Sequence, residues 1–79
     1  MPKLPVLSGR EMVKVLLKMG FVHIRTRGSH VIFNRIINDE KITVPVPLHQ
    51  ELAKGTLRSI MRQVDLELVD LLKLMGRKV

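Results

Sequence analysis

Two turn signals, Gly28-Ser29 and Ile37-Asn38-Asp39-Glu40, divide the middle of this 79-residue chain into three short runs of strand-like composition. Runs joined by turns this short pair antiparallel, so the centre of the chain reads as a three-stranded meander. The first strand spans Phe21 to Arg27, the second His30 to Ile37 and the third Lys41 to Val44. In the first, Val22, Ile24 and Thr26 alternate with Phe21, His23, Arg25 and Arg27, which makes its second face cationic. Pro45 and Pro47 have no N–H to give to a ladder. They are expected to end the third strand and to open a stiff connection, Val46 through Glu51, that carries His49.

Helical patterns flank the meander. Ser8 and Glu11 stand at capping-box spacing and Gly20 is placed as a stop, which predicts a first helix from Gly9 to Met19. At about 100° per residue, Met12, Val13, Val15, Leu16, Leu17 and Met19 cover a wide apolar arc. A second helix is expected from Gly55 to Val64, with Leu57, Ile60, Met61 and Val64 as its buried stripe. Lys54, Arg58 and Arg62 recur every four residues on a flank beside that stripe. Asp65 is placed to cap a last short helix whose Leu66, Leu68, Val69 and Leu72 close the core, and 76–79 reads as a loose basic tail. The order predicts an α+β fold, a three-stranded antiparallel sheet with helices on one face. That is the plan of a double-stranded RNA-binding domain.

A chain of this length supports one domain with a thin core. Hydrophobic residues make up 46% of it, but Phe21 and Phe33 are its only aromatics, so the interior is aliphatic. Aromatic platforms for stacking single-stranded bases are therefore largely excluded. Without cysteine there are no disulfides and no thiolate zinc sites. No stretch approaches the roughly 20 apolar residues of a membrane span, and the N-terminus carries no apolar secretory segment, so a cytoplasmic protein without a membrane partner is expected. The formal net charge of +7 favours an anionic partner, with nucleic acid foremost.

The candidate chemistry centres on Gly28-Ser29-His30. From Met12 to Asn38 the chain holds five Lys or Arg residues and no carboxylate, so an imidazole sits on a turn in a cationic field. Imidazole is the side chain whose ordinary titration range lets it give and take protons near neutrality. Metal-free RNA cleavage needs a base for the 2′-hydroxyl, an acid for the leaving 5′-oxygen, and donors or cations for the charge that develops on the phosphate. His30 can serve as the acid or the base. Ser29 and the turn amides can support the phosphate, and Arg25, Arg27, Lys54 or Arg58 can neutralise it. Plainer readings stand beside these: His30 as a strand-opening residue that caps the turn, Ser29 as a turn former, His23 as an ordinary exposed strand residue, and the lysine–arginine row as a solvated helix flank. A hard-metal nuclease lacks its carboxylates here, and a zinc set of His23, His30 and His49 is disfavoured. No metal and no cofactor are expected.

Leu16-x-x-x-Gly20-Phe21, Arg25-x-x-Gly28-Ser29-His30-x-x-Phe33, Thr43-Val44-Pro45 and Gly55-Thr56-Leu57-x-x-Ile60-x-x-Gln63 follow one another at set intervals between about residues 8 and 72. In these pieces the chain resembles the HicA family of messenger-RNA interferase toxins. The resemblance implies an endoribonuclease acting on mRNA, His30 as the catalytic histidine, and a HicB-like antitoxin protein that covers the site. Arg62 and His49 complete the expected RNA-contacting set. The chain departs from the family pattern before His49, where two prolines stand in place of one. A non-catalytic RNA-binding module is the alternative reading.

Overall fold

The computed structural model describes residues 3–77. The expected basic tail lies partly outside it: Gly76 and Arg77 are described and exposed, and Lys78 and Val79 fall beyond. Six elements follow in the order α1 (Gly9–Lys18), β1 (Val22–Arg27), β2 (His30–Ile37), β3 (Glu40–Pro47), α2 (Lys54–Gln63) and α3 (Leu68–Leu74). The three strands form one antiparallel sheet in the order β1-β2-β3. The arrangement is consistent with the α+β plan of a double-stranded RNA-binding domain.

The capping box opens α1 as its spacing requires. The Ser8 hydroxyl accepts from the Glu11 N–H at 3.1 Å, and the Glu11 carboxylate accepts from the Ser8 N–H at 2.9 Å. All three helices close on a left-handed residue, with φ of 89° at Gly20, 53° at Asp65 and 81° at Gly76. In each the following N–H reaches back five residues: Phe21 to Leu16, Leu66 to Met61, and Arg77 to Leu72. Asp65 therefore ends α2 and does not cap α3, which begins instead after Glu67. Its short polar side chain tolerates the left-handed region well enough to stand where glycine is usual.

The third strand runs three residues past its expected end. Leu48 donates its N–H to the Ser29 carbonyl at 2.7 Å, which fixes the parity of the segment: even-numbered residues turn their backbone groups toward β2. Pro45 and Pro47 then point their missing donors at the open edge, where no ladder bond is lost. The Asn38-Asp39 turn holds both residues at positive φ, as a two-residue hairpin loop requires.

The core is wholly apolar, since no polar side chain among the described residues is buried. Val31 and Phe33 of β2 and Val44 and Val46 of β3 meet Met12, Val15 and Leu16 of α1 and Leu57 and Ile60 of α2. β1 contributes none of its six residues to this core. It is the far edge of the sheet, beyond the cover of the helices, and its alternation is broken. A bulge between His23 and Arg25 leaves Ile24 outside the pairing. His23 lies opposite Phe33, on the helix side, and packs edge-on against that ring at 5.8 Å between centroids. Arg25 lies opposite Ile32 and Arg27 opposite His30, on the other side. The expected sharing of one face by His23, Arg25 and Arg27 thus does not occur.

Candidate active site and nucleic-acid interface

His30 is the first residue of β2 and is exposed. Its neighbours on the sheet are Arg27 on one side and Pro47 on the other, because directly opposed residues share a face. One step along, Ile32 stands between Arg25 and Pro45. The bulge is what delivers both arginines to the histidine's side of the sheet. Two other cations between Met12 and Asn38 serve the fold. Lys18 donates to the Leu74 carbonyl at the end of α3 at 2.7 Å, and Arg35 donates to the Met19 carbonyl at the end of α1 at 2.6 Å. Both neutralise helix C-termini. Arg25 and Arg27 remain exposed on the sheet.

Between the β3 edge and α2 lies an open groove of about 430 Å³, within the range of small-ligand sites. His30 and His49 both line it, with Pro45 and Pro47 on the sheet side and Thr56, Ser59 and Gln63 on the helix side. Its lining carries no lysine, arginine or carboxylate. The two imidazoles are its titratable groups. Gln63 donates to the Ser59 hydroxyl at 3.1 Å, so the helix side presents uncharged donors and acceptors, two of them linked to each other. The first turn of α2, at Lys54 and Gly55, has no acidic residue, and Ala53 supplies no side-chain cap. Gly55 and Thr56 of that turn line the groove.

Lys54 and Arg58 open elsewhere. Together with Lys3, Leu4, Val6 and Leu68 they line a second cleft, between the N-terminal segment and the helices. At about 100° per residue, Lys54, Arg58 and Arg62 lie on one side of the buried stripe and Thr56, Ser59 and Gln63 on the other. The structure therefore brings together His30, His49, Arg25 and Arg27 on one side of the molecule. It does not bring the lysine–arginine row to them. Ser29 is an exposed turn residue, tied through its carbonyl to Leu48.

Sequence reasoning missed the polar stripe Thr56, Ser59, Gln63. Its signal was present: the three recur at spacings of three and four, as residues on one helix face do. No group of three or more His, Asp or Glu among the described residues is placed to hold a metal ion. His23 is on the helix side of the sheet, away from the groove that holds the other two histidines.

The family model described as the HicA toxin of bacterial toxin-antitoxin matches residues 9–66. The chain belongs to the HicA toxin family. The match begins at the first residue of α1 and ends just after the left-handed stop of α2, so it contains the sheet, the groove and both histidines. No curated protein and no solved structure matches the chain significantly. Membership of the HicA family makes the protein the toxin of a toxin–antitoxin system and implies an antitoxin partner. No helix among the described residues is long and apolar enough to cross a membrane.

Proposed function

We propose that this HicA protein is a metal-independent endoribonuclease that cleaves mRNA in the cytoplasm, with His30 as general acid or base, and that a HicB-like antitoxin holds it inactive. The observation that carries the reading is the row Arg27-His30-Pro47 across the sheet, which sets an exposed imidazole beside a guanidinium at the mouth of an open groove. A guanidinium can hold a phosphate by two parallel hydrogen bonds while the imidazole moves a proton. Net charge of +7 draws the polyanion to the surface. His49, which lines the same groove, Ser29, which precedes His30, and Arg25, on the histidine's face of the sheet, contact the RNA, while Lys54, Arg58 and Arg62 extend the contact along the other flank of α2.

The test is cleavage of a labelled transcript in excess EDTA, by the parent chain and by His30→Ala. The parent is expected to cut and the variant to lose about 10²- to 10⁴-fold in rate. His30 is exposed and outside the core, so the variant should keep the parent's thermal midpoint. Loss of parental activity in EDTA, restored by a divalent ion, overturns the metal-free mechanism. Tight RNA binding without cleavage by the parent would leave a non-catalytic RNA-binding module.

A further inference from the structure

We propose that His49 is the second proton-transfer group of this site, working in the same groove as His30. The inference rests on the endoribonuclease reading and supplies the half of its chemistry that a single histidine leaves open. Opening a phosphodiester through the 2′-hydroxyl needs two proton movements. The 2′-oxygen bonds to phosphorus while its proton passes to one imidazole. The bond from phosphorus to the 5′-oxygen breaks, and that oxygen takes a proton from the other imidazole, which must start out protonated. The products are a 2′,3′-cyclic phosphate and a 5′-hydroxyl, and nothing is oxidised or reduced. Imidazole is the side-chain type suited to both halves of the task, since it serves as general acid or as general base in proton transfer.

Three observations place the pair. His30 and His49 line the same groove, and no carboxylate, lysine or arginine shares its lining. Their backbones are tied together one residue upstream, where Leu48 donates to the Ser29 carbonyl at 2.7 Å. The His49 backbone is held from a third side, since Gly9, at the start of α1, donates its N–H to the His49 carbonyl at 2.9 Å. That approach needs glycine: a Cβ at residue 9 would collide with the Pro47 carbonyl and come within 2.9 Å of the Leu48 Cα. A loop residue that is exposed at its side chain is thus anchored through its own carbonyl to the first helix and, through the preceding Leu48, to the β1–β2 turn. The charged group nearest in register is Arg27, opposite His30 on the sheet, which is placed for the phosphate and not for proton transfer.

The experiment compares the parent, His30→Ala, His49→Ala and His49→Gln on an oligoribonucleotide and on the same oligonucleotide with sulfur in place of the bridging 5′-oxygen, under single-turnover conditions across pH. A thiolate leaves without a proton, so the variant lacking the acid regains rate on the sulfur substrate and the variant lacking the base does not. For His49→Ala the expected result on ordinary RNA is a loss of about 10²- to 10⁴-fold, with affinity nearly unchanged and one limb of the bell-shaped pH profile missing. His49→Gln, which keeps a hydrogen-bonding side chain, should be as slow. Rescue of one histidine variant and not the other by sulfur supports the pair and says which is the acid. If His49→Ala weakens RNA binding but cuts bound RNA at the parental rate, or keeps both limbs of the profile, the proposal is overturned while the nuclease reading stands. If the parent itself leaves RNA intact, the nuclease reading fails and this proposal with it.

Discussion

At the scale of single residues, the site separates cations that serve the fold from cations free to meet a ligand. Arg35 and Lys18 spend their charge on carbonyls at helix ends, whereas Arg27 faces His30 across the β1–β2 pairing. Arg27→Ala should therefore act mainly on turnover, lowering the single-turnover rate by more than it lowers RNA affinity. Lys54→Ala with Arg58→Ala should do the reverse, because both side chains line a cleft on the other flank of α2. For a single-stranded transcript each lost phosphate contact removes about 0.7 from the slope of log K against log salt, so the double variant should flatten it by about 1.4. Titrating RNA binding against salt, beside single-turnover cleavage, checks both. An unchanged slope in the double variant would place the RNA elsewhere, and an unchanged rate in Arg27→Ala would remove that guanidinium from the reaction.

At the scale of elements, two local departures from regularity decide what faces what. Asp65 holds φ at 53° to end α2, a position glycine takes without strain. Asp65→Gly should stabilise the fold by about 1 kcal/mol, a rise of roughly 4–8 °C in thermal midpoint for a domain of this size. A fall instead would mean that the Asp65 side chain makes a contact worth more than the backbone relief. The bulge at Ile24 has the opposite character, since deleting that residue leaves the pairs His23 with Phe33 and Arg25 with Ile32 in the same register. A chain without Ile24 is expected to fold and to keep RNA cleavage within a few-fold of the parent. Folding with loss of cleavage would show that the kink itself aims the arginines. These two sites also mark where the sequence could be read and where it could not. The capping box, the two turns, β2 and the buried stripe of α2 were legible because each rests on contacts within a few residues. The bulge was not, because period-2 alternation looks unbroken from Phe21 to Arg27 and only pairing with β2 shows the extra residue. Pro45 and Pro47 misled for a similar reason, since their cost in a strand depends on which edge it occupies. His30 was singled out as a candidate from its turn, and its juxtaposition with His49 in one groove required the third strand to continue to Pro47.

At the scale of the whole molecule, the charge is distributed so that one partner can cover the site without contacting every basic residue. The groove, Arg25 and Arg27 share one side, and the Lys54–Arg58 cleft lies across the buried stripe of α2. The family implies an antitoxin partner, and on the proposed reading, with +7 net charge on the toxin, that partner restrains it through an acidic surface seated over the histidines. Complementary charge speeds encounter more than it deepens affinity, so association of the pair should slow as salt is raised while dissociation changes little. Arg25→Ala with Arg27→Ala should slow that association more than Lys54→Ala with Arg58→Ala does. The purified complex should leave RNA intact, and His30 and His49 should lose accessibility to diethyl pyrocarbonate when the antitoxin binds. Stopped-flow association at several salt concentrations, with cleavage assayed on the same samples, checks these together. A complex that cuts RNA as fast as the free toxin, or that leaves both histidines open to the reagent, would mean that the antitoxin acts away from the groove. Inhibition would then require a change of conformation transmitted to His30 in place of direct cover.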